Sequence, residues 1–145
     1  MNETKWTTDT QSKIYKEALK IRYEVFVGEQ NVPEDIEVDE LENQSQHLVL
    51  YEYNEPVGTA RIFHVGDGLY KMQRVAILKK YRGQGYGEKL IKEIEHQVQN
   101  LHGKKITLGA QLQALSFYEK LGYEVEGPEF MDAGIPHREM TKTFR

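Results

Sequence analysis

Three glycines at alternate positions, Gly83, Gly85 and Gly87, follow the cations Lys79, Lys80 and Arg82. Glycine adopts backbone angles that side chains forbid, so successive N–H groups can turn to one side and let an anion come close. Residues 86 to 100 carry Leu90, Ile91, Ile94 and Val98 at helical spacing, which sets the loop at the positive end of a helix. Arg82 can add a charge-assisted contact, and Lys79, Lys80 and Lys89 raise the local potential. The expected occupant is a phosphate or pyrophosphate. A dinucleotide-binding loop would need glycine where Glu88 stands, and the Gly-Lys-Ser/Thr ending of a P-loop is absent. Taken alone, the same glycines also fit a plain tight turn with solvated lysines beside it.

The loop has to be held by the elements around it. Ile14, Ala18, Leu19, Ile21, Val25 and Phe26 recur at helical spacing after a cap at Asp9 or Ser12, with residues 5 to 8 as a short preceding strand. Residues 28 to 46 contain Pro33 and six acids in nine positions, Glu34, Asp35, Glu37, Asp39, Glu40 and Glu42, and read as a long loop or broken helix. Residues 47–53, 56–65 and 69–78 are rich in β-branched and aromatic types and are separated by Asn54-Glu55-Pro56 and Gly66-Asp67-Gly68, which predicts a three-stranded antiparallel meander. A helix over 86–100 ends at His102-Gly103. A buried-type strand over 105–110, a helix over 113–121 with Gly122 past its end, and strands over 123–125 and 138–143 complete the pattern. The expected fold class is α+β, a mixed sheet in which an antiparallel meander is followed by a βαβαβ portion, with a right-handed parallel connection through residues 69 to 110. The 145 residues read as one domain, 1–145.

Composition narrows the function classes. Charged residues at 29% and hydrophobic ones at 39% are ordinary for a folded chain, and no apolar run approaches the roughly 18 residues of a spanning helix. A net charge of −4 argues against nucleic acid as a partner. Cysteine is absent, and residues 1 to 10 lack a cationic stretch followed by an apolar one, so cytoplasm is the expected compartment.

Val75-Ala76-Ile77-Leu78-Lys79-Lys80-Tyr81-Arg82-Gly83-Gln84-Gly85-Tyr86-Gly87 resembles the acetyl-coenzyme A signature of GCN5-related N-acetyltransferases (GNAT). Gln111-Leu112-Gln113-Ala114-Leu115-Ser116-Phe117-Tyr118-Glu119-Lys120-Leu121-Gly122-Tyr123 is similar to a second signature of that family, in the expected order. Arg22-Tyr23-Glu24-Val25-Phe26-Val27 with Glu29-Gln30, and Gly134-Ile135-Pro136-His137, resemble a small bacterial subgroup, the ElaA-like or YjcF-like acetyltransferases. Lys79 stands where many relatives have proline, and Gln111 where many have asparagine.

The resemblance implies acetyl-coenzyme A as co-substrate, no metal, and a primary amine, small-molecule or peptide, as acceptor, with no membrane partner and a homodimer left open. It implies that the strand ending near Leu78 splays from its parallel neighbour, so that backbone groups of Val75 and Ile77 pair with the pantetheine amides. A backbone N–H near Val75 or Ala76 would then stabilise the oxyanion formed when the amine attacks. Arg82, Gly83, Gln84, Gly85, Tyr86 and Gly87 would hold the pyrophosphate, with Gln111 and Tyr118 also on the cofactor.

By the same resemblance Tyr118 protonates the departing thiolate, although a phenol pKa of about 10 against about 8.5 for a thiol makes full transfer uphill by roughly 2 kcal/mol. Packed beside Phe117, Tyr118 is otherwise an aromatic anchor. Only about one alkylammonium in a thousand is neutral at pH 7, so a base is useful. His137 and His47 are the candidates, with Glu24, Glu29 and Glu37 behind them, and a structural role is open to either histidine. The acidic stretch from Glu34 to Glu42 could attract a cationic acceptor or be solvated surface, and Arg22 could bind an acceptor carboxylate or anchor that loop. Two other functions are compatible with the pattern. One is a non-catalytic acyl-coenzyme A sensor. The other is an acyl-homoserine lactone synthase, because those enzymes share the fold and a similar Arg22/Phe26 pattern.

Overall fold

The structure is a computed structural model that describes residues 2–34 and 38–144. β1 (Asn2–Thr7) leads into α1 (Lys13–Arg22), whose first turn is capped by Ser12 Oγ accepting from the Tyr15 N–H. The helix runs on as a π-helical stretch, Tyr23–Glu29, and stops where Asn31 takes a left-handed φ of 58°. β2 (Ser45–Glu52), β3 (Glu55–Gly66) and β4 (Leu69–Ile77) form the expected meander. Its turns carry positive φ at Tyr53 and Asn54, then at Asp67 and Gly68, as mirror-type hairpin turns require. α2 (Tyr86–Asn100) returns the chain to β5 (Lys105–Gln111). A 3-10 turn (Leu112–Ala114), α3 (Leu115–Lys120), β6 (Glu124–Asp132) and β7 (Ile135–Thr143) follow.

The seven strands lie in the order β1-β2-β3-β4-β5-β7-β6, antiparallel except for the β4/β5 pair. β2 shows why the sheet is covered on both faces. Leu48 and Leu50 point into a core shared with Leu90, Ile91, Ile94 and Val98 of α2, whereas Val49 and Tyr51 face Ala18, Ile21 and Val25 of the first helix. A strand buried on both sides reads as a continuous apolar run. Each of the α2 aliphatics is fully buried, and truncation to alanine would cost about 2–5 kcal/mol.

The feature that shapes the site is a bulge in β4. Thr59 pairs with Ala76 and Arg61 with Gln73, so two residues, Arg74 and Val75, oppose Ala60 alone, and Arg74 has a φ of 56°. The parallel ladder between β4 and β5 runs from Leu69/Lys105 to Met72/Leu108 and stops there. Beyond it β4 stays with β3 as far as Ile77/Gly58, and β5 stays with β7 as far as Gln111/His137. The two strands thus part as the resemblance implied.

The structure departs from the sequence reading mainly in residues 123–143. In place of two short strands there is a long hairpin, β6 and β7, turning at Ala133 and Gly134. Most β6 residues are exposed and Gly127-Pro128 interrupts them, so they carry no alternation to read. The helix expected over 113–121 is a 3-10 turn followed by six helical residues. No helix among the described residues is long and apolar enough to cross a membrane.

Candidate active site

The gap between β4 and β5 opens into a cleft of about 770 Å³. It is lined on one side by Val75, Ala76 and Ile77, on the other by Gly109, Ala110 and Gln111, and at one end by Arg82, Gly83, Gly85, Tyr86 and Gly87. Tyr118 and His137 also line it. One candidate from the glycine loop does not: the Gln84 amide donates to Lys80 O and stays off the cleft.

Gly83 and Gly85 have φ of 77° and 85°, and a Cβ added to either would project into open space. Gly85 precedes the first residue of α2, so the N–H groups of the loop and helix start converge on the same end of the cleft. These residues fit a pyrophosphate. Arg82, at that end, is also engaged by the protein. Its Nη1 and Nη2 donate to Glu29 Oε2 and Oε1 at 2.9 and 2.8 Å, and its Nε donates to Ile77 O at 2.9 Å. The Ile77 carbonyl, expected to pair with the cofactor, already accepts one hydrogen bond from this guanidinium. The hydrogen bond and charge of Arg82 hold the Glu29 carboxyl below the usual range, so it is ionised. Gln111 is also engaged: its amide donates to Gln30 Oε1 at 2.9 Å and its oxygen accepts from Gln113.

Tyr118 is buried, 7% exposed, with edge-on contacts to Phe117 and Tyr123 at centroid distances of 5.0 and 5.7 Å. Burial raises its pKa well above that of a free phenol, and no hydrogen bond to its hydroxyl occurs among the described residues. His137 is nearly buried, stacked on Phe130, and its Nδ1 lies 2.7 Å from Ile135 O. A carbonyl can only accept, so Nδ1 carries a proton and a lone pair, where the ring has one, is on Nε2.

The other histidine candidate is elsewhere. His47 is 1% exposed, packs on Tyr15, donates from Nε2 to Glu42 O and lies outside the cleft lining. Burial lowers its pKa and keeps it neutral.

Two acids of the stretch, Asp39 and Glu42, are engaged inside the protein, whereas Glu34 and Glu40 are exposed. Glu42 takes two bonds from Arg22, at 2.8 and 2.9 Å, one from Arg61 at 2.7 Å and one from the Tyr15 hydroxyl. Asp39 accepts from Arg61 at 2.9 Å and from Arg74 at 3.2 Å. Burial alone would raise the Glu42 pKa, but the Arg22 bonds and both guanidinium charges override it and bring it down to about 2. Arg22 is thus a loop anchor, with Glu42, Arg61 and Asp39 as its network. Asp35 and Glu37 lie outside the described residues. Sequence reasoning overlooked Arg61 and Arg74. The available signal was an arginine inside the otherwise small and apolar run Val57–Ile62, because a charge in a buried strand requires partners. It also overlooked the cleft residues Asp132 and Ile135 on the β6–β7 hairpin.

Comparison with known proteins adds the following. Residues 8–144 match the family model described as "Acetyltransferase (GNAT) domain". The chain is 45% identical over 128 residues to the uncharacterized N-acetyltransferase YjcF of Bacillus subtilis, covering 88% of this chain and 91% of that protein. It is 33% identical over 128 residues to the protein ElaA of Escherichia coli, covering 86% of this chain and 84% of that one. A crystal structure of a putative N-acetyltransferase from Lactobacillus plantarum superimposes with a TM-score of 0.90 at 27% identity, covering 98% of this chain and 97% of the other.

Proposed function

The chain belongs to the GNAT acetyltransferase family, and on that premise we propose that it passes the acetyl group of acetyl-coenzyme A directly to a primary amine, small-molecule or peptide, with both substrates bound together. One observation carries the reading: the split between β4 and β5 opens into the same cleft as the glycine loop, Tyr118 and His137. Acetyl-coenzyme A supplies the activated thioester. The backbone N–H groups of the Gly83–Gly87 loop and the start of α2 bind its pyrophosphate. Backbone groups of β4 beyond the bulge, which have no partner strand on the β5 side, take the pantetheine.

The bulge at Arg74–Val75 directs an N–H near Val75 or Ala76 at the carbonyl oxygen, where negative charge develops as the amine attacks. His137 Nε2 accepts the proton that the amine must lose. As the carbon–sulfur bond breaks, Tyr118 supplies a proton to sulfur, the products are an amide and a thiol, and both side chains return to their starting states by exchange with water. With no cysteine in the chain, no thiol-bound acyl enzyme is formed.

A thiol-release assay with acetyl-coenzyme A across polyamines, amino sugars, amino acids and peptides tests the proposal, alongside a melting-temperature shift with coenzyme A. Release with at least one amine and a stabilising shift are expected. If coenzyme A neither stabilises the protein nor is released with any amine, the proposal fails.

A further inference from the structure

Beyond the last β4/β5 ladder pair, Met72/Leu108, the two strands share no backbone hydrogen bonds, yet something must set the width of the slot between them. Two adjacent residues at the end of the first helix reach both sides. Glu29 holds Arg82, which in turn holds Ile77 O at the end of β4, while Gln30 accepts from Gln111 at the end of β5. The backbone beneath them is pinned: Gln30 N–H donates to Val25 O, Asn31 turns left-handed, and Val32 N–H donates back to Phe26 O. Phe26, Gln30 and Val32 themselves line the cleft.

We infer that Glu29 and Gln30 form a clasp across the open end of the split, fixing the slot width where the ladder has been given up. This rests on the acetyltransferase reading and assigns the pair as positioning residues. Arg82 belongs to the clasp, which takes three of its five N–H groups and leaves one on each Nη. A slot that widens by about 1 Å displaces the thioester from its N–H donor and from Tyr118, a displacement of the kind that costs on the order of 100-fold in rate.

The experiment compares acetyl-coenzyme A with acetyl-pantetheine, which has the thioester and amides but no pyrophosphate. Glu29→Gln and Gln30→Ala are each expected to lower kcat at least 10-fold with either donor. Arg82→Gln is expected to match Glu29→Gln, and the double variant to be no worse than the poorer single one. Both clasp residues face solvent in part, so melting temperatures should stay within a few degrees of the wild type. The clasp is refuted if Glu29→Gln leaves kcat intact. It is equally refuted if the loss with Arg82→Gln appears as a raised KM for acetyl-coenzyme A alone, because Arg82 then serves the pyrophosphate. A wild-type protein that turns over neither donor refutes the acetyltransferase reading itself, a result separate from the two above.

Discussion

Replacing Tyr118 by phenylalanine removes one oxygen from a nearly buried ring and leaves its contacts with Phe117 and Tyr123 in place. That hydroxyl has no hydrogen-bond partner among the described residues but opens onto the cleft, so little desolvation cost attaches to it. The variant should therefore match the wild type within about 1 kcal/mol, a shift in melting temperature of at most about 4 °C. Turnover should move the other way. General acids contribute about 100- to 10,000-fold, but burial holds this phenol far above a thiol in pKa, so full proton transfer is uphill by more than about 2 kcal/mol. The lower end, a loss of about 100-fold in kcat with unchanged coenzyme A affinity, is expected. Steady-state thiol release and calorimetric binding measure both. A donor whose thiol is about two pKa units more acidic needs less help, so with it the loss should shrink below about 10-fold. The reasoning fails if Tyr118→Phe keeps turnover within threefold, or if its melting temperature drops by many degrees, which would mark the ring as a packing anchor through its hydroxyl.

The buried ionic network gives a second prediction. Glu42→Ala leaves Arg22 and Arg61, each 1% exposed, without their shared carboxylate and should cost about 3–5 kcal/mol in denaturant unfolding. A cost under 1 kcal/mol would mean that water enters the network. The same carboxyl has its folded pKa depressed from 4.5 to about 2, so its contribution is full above about pH 5 and is lost as pH falls toward 2. His47, held neutral by burial, begins to destabilise the fold as pH drops through about 6.5. Stability titrated from pH 7 to 2 should decline first through His47 and then through Glu42, and Glu42→Ala should flatten the lower part. Gly85→Ala places a Cβ on a residue with φ of 85° at a cost of about 1–2 kcal/mol of backbone strain. If the loop relaxes to relieve it, coenzyme A affinity should fall roughly 5- to 30-fold in calorimetry, and unchanged affinity would remove the loop from the binding site.

The network neutralises two acids of the stretch, so Asp39 and Glu42 add little attraction for a cationic acceptor. Asp39 and Glu42 face three arginines, Arg22, Arg61 and Arg74, and hold the loop against the bulge of β4. The carboxylates that looked like surface charge in a linear reading serve to tether the segment beside the cleft. Replacing such a network by apolar groups is often neutral for stability, so its value here lies in which segment it places where.

Much was legible without the structure, and for local reasons. The meander, α2 over residues 86–100 and the glycine turn before it follow from period, turn residues and glycine spacing, all of which act within a few residues of one another. The two motifs gave the family, because they mark strand–loop–helix units that carry their own geometry. Three matters were decided only in three dimensions. The β6–β7 hairpin forms because β7 pairs with β5 and offers β6 an edge, although β6 has almost no apolar pattern. His137 and His47 are alike as isolated letters, but pairing places one at the open cleft and seals the other beneath Glu42. Arg82 is spoken for by Glu29, 53 residues away, and such a pairing depends on where a helix end lands relative to a splayed strand. Spacing along the chain encodes which groups can turn together, whereas contacts between distant segments depend on how the sheet bends and where it opens.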